Sequence, residues 1–412
     1  MAGTLDEILN PDVSDGTPLP AREDLPESVL YAIAADFGGV GLATSAEQGA
    51  LAAFRAGILG KVITYANRQC EVDPWKVKSL ALAPVKLLSN IDRETYYGAK
   101  KQYLAGVAAR ELRRGRYDAF HGWSGDSLRS LIAARGKAVP SMIEIPTWHR
   151  NKFRRKNFYT RSEREEIPTW RTRMRVSRQQ MLTEYELADL VLVQSEMAAE
   201  SFLELGRDPR RIFYVGRGVD PARFQPARYP DRFRLVFVGS LKKRKGVHHL
   251  LRAWASLGLK DAELVLVGSI HPELRPALDE FRTDSVTLPG HVSDVREYLE
   301  NSSAFVFVSE CEGSAKATYE AAACALPAIT TRESGDVVVD GETGIVIPAN
   351  DPDALAGAIA DFYENRDRLP SMGAAARARV ERELTWEHHR RRLLHACLLY
   401  TSDAADDPTL VL

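Results

Sequence analysis

Apolar positions along this chain fall into short blocks separated by longer amphipathic runs, and the alternation occurs twice. In the first half, VLYAIA (29–34), KVITYA (61–66), YDAFHG (117–122), SMIEIP (141–146), LVLVQS (190–195) and RIFYVG (211–216) are short runs rich in Val, Ile, Leu and aromatic residues. Such runs predict strands buried on both faces of a parallel sheet. Helical stretches are predicted between them: from the loop DFGGVGLATS to about Phe54, over 75–89 with an interruption at Pro84, and over 104–113 and 128–135. Strand–helix alternation of this kind predicts a Rossmann-like α/β domain.

The pattern restarts after a Pro-containing connector, RGVDPARFQPARYPDR (217–232). RLVFVGS (234–240), ELVLVGS (263–269), SVTLPG (285–290), AFVFVS (304–309), AIT (328–330) and GIVIPA (344–349) read as strands of a second Rossmann-like domain. The expected organisation is a solvated acidic tail over 1–26, a first domain over 27–218, a second over 219–384, and a terminal helix over 385–396. CLLYTSDAADD (397–407) reads as one frame of a transposon-based sequencing adapter, so 397–412 is expected to be a non-native tail.

Composition narrows the function classes. A net charge of −1 gives no global case for binding nucleic acid or an anionic membrane. Charge is uneven, however: residues 1–27 hold seven acids and one Arg, whereas 150–178 hold eleven Lys or Arg against three Glu. The four cysteines show no CxxC or metal-ligand spacing, which suits a reducing, cytoplasmic setting. No run approaches 18 apolar residues, so no spanning helix is expected.

The chemistry concentrates at EGSAKATYE, where the apolar AFVFVSE (304–310) gives way to an Ala-rich segment, 315–325, expected to be helical and to stop before Leu326-Pro327. Glu312 and Glu320 thus sit at the carboxyl end of a strand and early in the next helix, where open α/β sheets bind ligands. Eight helical positions turn about 80° past two full turns and rise about 12 Å, so the two side chains suit separate parts of an extended ligand. A carboxylate only accepts hydrogen bonds, so each fits a pair of sugar or ribose hydroxyls; in isolation, each would read as a solvated surface Glu, and the surrounding sequence overturns that reading. In GSLKKRKG (239–246), Gly239 permits close approach of a pyrophosphate and Lys245 offers it a mobile charge. Lys242 and Lys243 read as a solvated turn. The loop DFGGVG offers Gly38, Gly39 and Gly41 either to line a site or simply to shape the turn after the first strand. His121 and His149 lie at strand ends; the other seven histidines lack zinc spacing.

The segment EGSAKATYEAAACALPAITT, followed by ESGDVVVDGETGIVIPANDPDALAGAI, resembles the donor-binding half of retaining, family 4-like glycosyltransferases of the GT-B fold. FVGSLKKRKGVHHLLRAW, LVLVGS, VTLPGHV, GVDPARF and the terminal TWE extend the resemblance, which covers roughly 180–395 well and the first half loosely. It implies two Rossmann-like domains facing each other across a donor cleft, an acceptor domain first and a nucleotide-sugar domain second. It further implies Glu320 on the ribose, Glu312 on the transferred sugar, and the amides of Gly313, Ser314 and Ala315 on hydroxyls or phosphate. Lys245 would meet the pyrophosphate, His149 would orient the donor sugar, and His121 would stand behind it. Gly290, His291 and Val292 would shape donor selection. Family members carry Arg after the glycine of the first donor-domain loop; here the residue is Ser240, and Arg244 is the expected substitute.

The implied activity is retaining transfer from a nucleotide-diphosphate sugar to a glycan, lipid-linked or small-molecule acceptor, with no metal or other cofactor. The basic, aromatic-interleaved segment 150–178 suits peripheral contact with a membrane or a phosphate-bearing acceptor rather than nucleic acid. The alternatives are a nucleotide-sugar epimerase or a phosphorylase on the same fold, or a degenerate nucleotide-sugar-binding scaffold of envelope polysaccharide assembly.

Overall fold

The computed structural model describes residues 5, 8, 18–39, 41–81, 84–90, 92–155 and 169–406. The chain divides into two compact units: Met1–Gln194, Ala198–Val215 and His389–Leu412 form the first, and Ser195–Met197 with Gly216–His388 form the second. The division thus falls at Val215/Gly216, three residues ahead of the position expected from sequence.

The first unit carries β1 (Val29–Phe37), β2 (Leu59–Asn67), β3 (Val77–Ser79), β4 (Ala119–Trp123), β5 (Ser141–Glu144), β6 (Leu190–Val193) and β7 (Ile212–Tyr214). They form one sheet in the order β3-β2-β1-β4-β5-β6-β7, with every neighbouring pair parallel. Tyr31 of β1 stands opposite His121 of β4. The core on one face includes Val29, Tyr31, Ile33, Trp123, Met142 and Leu192, and the terminal helix Trp386–Asp406 contributes Leu393, Leu394, Ala396 and Cys397 to it.

The second unit carries β8 (Phe233–Val238), β9 (Ala262–Val267), β10 (Val286–Gly290), β11 (Ala304–Phe307), β12 (Ala328–Thr331) and β13 (Gly344–Ile347). Their order is β10-β9-β8-β11-β12-β13, again all parallel. This is the doubly wound arrangement: the chain runs outward from β8 to β10, returns beside β8 as β11, and continues the other way. The crevice beyond the carboxyl ends of β8 and β11 is the topological switch point, where such sheets take ligands. Because helices cover both faces, β8, β9 and β11 are apolar on both sides, and Leu235, Phe237, Leu264, Leu266, Phe305 and Val306 are completely buried.

Both parallel α/β sheets agree with the sequence reading, but one helix does not. The stretch 75–89 is a short 3-10 turn, Pro74–Lys76, then edge strand β3, then a second 3-10 turn, Pro84–Asn90. Its apolar residues do not share a buried face: Trp75 and Leu87 are 73% and 84% exposed. The expected helix over 104–113 is the second half of a longer one, Arg93–Arg114, begun by the Asp92 carboxylate accepting the Thr95 amide. The Ala-rich helix spans Lys316–Ala323 and closes with Ala325 at φ 55°.

Candidate active site

At the carboxyl edge of the second sheet, three glycines end three adjacent strands. Gly239 follows β8, Gly268 follows β9 and Gly290 ends β10; the Gly239 amide donates to the Val267 carbonyl at 2.9 Å, and the Gly268 amide to that of Gly290 at 2.8 Å. The spacing between the first two requires glycine. Gly268 adopts φ 150°, and a methyl there would stand 1.9 Å from the Gly239 carbonyl oxygen. Gly239, at φ 151°, leaves its open side to Lys245, whose Nζ would stand 3.1 Å from a methyl at that position. The lysine is thus laid against bare backbone at the switch point, as a cation serving a pyrophosphate needs to be.

Lys245 is held there from three sides. Its Nζ lies 4.8 Å from the centre of the Phe307 ring, which stacks on Phe237 at 5.3 Å. Oε1 of Glu312 lies 3.6 Å from Lys245 Nζ and 3.2 Å from the Arg244 guanidinium. Burial lowers the proton affinity of the lysine, and the Glu312 charge works against that fall. Arg244 also donates to the Cys311 carbonyl, while its own carbonyl accepts the Glu310 amide at 2.9 Å and Ser309 Oγ at 3.1 Å. The turn Lys243–Lys245 and the loop after β11 are therefore stitched into one rigid piece. Arg244, expected to stand in for the missing arginine at Ser240, is engaged with Glu312 and the Cys311 carbonyl. Ser240 itself is half-buried beside Gly239.

The loop 308–315 is fastened on its far side too. Glu312 donates its amide to the Glu333 carbonyl and Ala315 donates to Ser334, both at 2.9 Å. That corrects one expectation, since the Ala315 amide is already used. Those of Gly313, Ser314, Lys316 and Ala317 have no partner among the described residues. They surround the first turn of the helix Lys316–Ala323, a place that favours anions and hydroxyl oxygens. Glu320, 6% exposed, sits one turn on and pairs with Lys316 at 2.5 Å. Gly290 is two strands from Gly239; His291 beyond it is exposed and Val292 half-buried.

In the first unit, the glycine loop after β1 divides by role. Methyls at Gly38 and Gly39 would stand 2.6 Å from the Gln69 amide nitrogen and 2.8 Å from the Asp36 carbonyl, whereas Gly41 faces open space. Gly38 and Gly39 shape the turn, whereas a methyl at Gly41 would meet nothing within 4 Å among the described residues. His149 is buried against Tyr185 and Phe202, with ring centres 5.0 and 4.8 Å away, and its Nδ1 accepts the Asn151 amide at 3.2 Å. Burial, then the charges of Arg207 and Arg178, bring its pKa down to about 4, so the ring is neutral at physiological pH. His121 is also buried, with Nε2 3.0 Å from Glu144 Oε1 and its ring edge-on to Tyr31. In the basic segment, Lys152 pairs with Glu204 at 2.5 Å and Arg175 with Asp92 and Glu94 at 3.1 and 2.7 Å. The rest of that segment over 156–168 lies outside the described residues. No described helix is long and apolar enough to cross a membrane.

Sequence reasoning missed Gly268 and the aromatic floor of Phe237 and Phe307. The signal for Gly268 was present: Val-Gly-Ser recurs at 238–240 and 267–269, each time at a strand end.

Known proteins share both this fold and this site region. Residues 232–365 match the family described as glycosyl transferases group 1. The Staphylococcus aureus capsular polysaccharide biosynthesis glycosyltransferase CapM is 33% identical over 171 residues, covering 38% of this chain and 44% of that one. The alpha-maltose-1-phosphate synthase of Mycolicibacterium smegmatis is 31% identical over 242 residues, covering 50% of this chain and 62% of that one. The chain thus spans about half the length of the curated relatives it matches. Among solved structures, sucrose-phosphate synthase from Thermosynechococcus elongatus superposes with a TM-score of 0.68 at 21% identity, over 92% of this chain and 100% of that one. Anabaena HepE in complex with UDP-glucose superposes with a TM-score of 0.63 at 15% identity, over 90% and 98%. The fold is GT-B, and residues 232–365 match the model of the group 1 glycosyltransferases.

Proposed function

We propose that this chain transfers a sugar from a nucleotide-diphosphate sugar to a glycan or lipid-linked acceptor, with retention at the anomeric carbon. The observation that carries the reading is Lys245, laid against Gly239 at the switch point and held by Glu312. In such a transfer the bond from the anomeric carbon to the phosphate oxygen breaks and one to the acceptor oxygen forms. The acceptor proton passes to the departing phosphate oxygen, on the same face of the sugar, so no enzymic nucleophile is required. Negative charge grows on the pyrophosphate as it leaves, and fixed positive groups lower the barrier most when they are already in place. Lys245 supplies one such group, and the amides of Gly313, Ser314, Lys316 and Ala317 supply partial positive charge. In this reading Glu320 takes the ribose hydroxyls and Glu312 the transferred sugar. His149, neutral and packed, would act by position.

A capsular polysaccharide glycosyltransferase among the relatives and a neighbour solved with UDP-glucose support this class of donor and product. The test is a thermal-shift screen of UDP-, GDP- and ADP-sugars, followed by product analysis with the best donor. A ligand at 100 times its Kd stabilises the folded state by about 2.7 kcal/mol. The expected result is a clear shift with one base, lost in Glu320→Ala. No shift with any of the three, or an unchanged shift in Glu320→Ala, overturns the assignment. Binding without turnover would point instead to a sugar-nucleotide-binding scaffold.

A further inference from the structure

His248 and His249 open the helix Val247–Leu257, immediately after the turn that carries Lys245, and Glu310 stands in the loop after β11. One ligand atom from each of these three residues lies within 4.8 Å of the others. We propose that His248, His249 and Glu310 bind a divalent transition metal of the zinc class, with solvent completing the coordination. The inference is independent of the glycosyl-transfer reading, and the metal takes no part in the transfer step.

The donor set is the first argument. Two imidazoles and one carboxylate suit zinc, and three protein ligands leave one position open, as in exchangeable rather than closed structural sites. Ring orientation is the second. Nε2 of His249 lies 3.2 Å from Asn350 Oδ1, which places the proton on that nitrogen and leaves Nδ1 as a lone-pair donor. Nδ1 of His248 is buried and makes no hydrogen bond among the described residues. An oxygen partner behind the ring, as Asn350 is for His249, is what orients a metal-binding histidine.

Proximity is the third argument: the two rings lie 3.8 Å apart between centres, on consecutive residues of one helical turn. The consequence is mechanical. The Glu310 amide already donates to the Arg244 carbonyl, and Gly246 packs so closely on Val308 that a methyl there would stand 2.2 Å from its carbonyl. A bound metal adds a further tie between the Lys245 turn and the Glu312 loop, fixing the spacing of those two charges.

The test uses the full chain and Co²⁺ as a spectroscopic probe, with Zn²⁺ as competitor. One equivalent of Co²⁺ should give visible bands of a four-coordinate site without thiolate charge-transfer absorption, and Zn²⁺ should displace it. Glu310→Gln and His248→Ala should each weaken binding at least about tenfold, the lower end of what even an outer partner contributes. Zn²⁺ should raise the Tm of the wild-type chain and leave that of either variant nearly unmoved. Glu310→Gln keeps the test sound if His248→Ala does not fold. No stoichiometric binding, a thiolate band, or unchanged affinity in both variants overturns the proposal.

Discussion

Lys245 Nζ lies 3.6 Å from Glu312 Oε1 and 4.8 Å from the centre of the Phe307 ring. Burial lowers the proton affinity of Lys245, the Glu312 carboxylate opposes that fall, and the ring face adds a weaker attraction for the ammonium.

Replacing Lys245 with Met keeps the packing on Phe307 and removes the charge. Loss of one fixed donor to a developing anion typically costs about 10²–10³ in rate, and a fall of that size in kcat/KM is expected with little change in Tm. Glu312→Gln acts differently. It removes the main influence holding up the lysine's proton affinity, so the alkaline limb of the pH–rate profile should move to lower pH. A Gln variant whose limb stays where the wild type has it would show that Lys245 is not the titrating group.

Glu320 is nearly buried on the helix Lys316–Ala323, and its visible partner is Lys316. If that ion pair were its purpose, Lys316→Ala and Glu320→Ala would have similar small effects, since exposed i,i+4 pairs contribute about 0.3–0.5 kcal/mol. The expectation is otherwise. Hydrogen bonds to a charged group are worth about 1.5–3 kcal/mol, so Glu320→Ala should weaken donor binding by one to two orders of magnitude. Lys316→Ala should leave it within about a factor of two. Calorimetric titration of both variants with the donor found by screening separates the two roles.

Much of this site could be read from the order of residue types. Apolar blocks ending in Val-Gly-Ser and Val-Ser-Glu mark strand ends, and Glu312, Glu320, Gly239 and Lys245 follow from them. What could not be read depends on distance across the sheet. Nothing local to Ala315 says that Ser334, nineteen positions away, takes its amide. Nor does the sequence around Arg244 reveal that Glu312 and the Cys311 carbonyl engage it. His248, His249 and Glu310 are separated by sixty residues of chain and meet only because β8 and β11 are neighbours. The 75–89 stretch, expected as a helix interrupted at Pro84, differs for a local reason: the chain spends its backbone bonds on an edge strand instead.

Gly268 offers a stability test of the glycine row itself. A methyl there would lie 1.9 Å from the Gly239 carbonyl, in a backbone region that L side chains rarely adopt. Both the clash and the strain oppose Gly268→Ala, so a destabilisation of more than about 2 kcal/mol is expected. Denaturant unfolding measures it. Gly41→Ala, with nothing within 4 Å but φ 72°, should carry only the backbone strain and cost about 1–2 kcal/mol. The order of the two variants checks whether the glycine row at β8 and β9 is a packing requirement.

His149 yields a prediction in pH. Its pKa is lowered from the ordinary value near 6.5 to about 4 by burial and then by Arg207 and Arg178. Between those values the unfolded chain binds a proton that the folded chain does not, so acid favours unfolding. The stability that neutral His149 contributes is fully present above about pH 6.5 and is lost as pH falls toward 4. His149→Phe retains the packing against Tyr185 and Phe202 but cannot titrate. It gives up the bond from the Asn151 amide, worth about 1 kcal/mol at any pH. The difference in stability, wild type minus variant, should therefore fall with decreasing pH across that window by at most about 1.4 kcal/mol per pH unit, then level off. Denaturant unfolding of both proteins from pH 7 to 4 measures it. A difference that stays flat would place His149 in solvent contact and reopen its role as a group that can carry a proton.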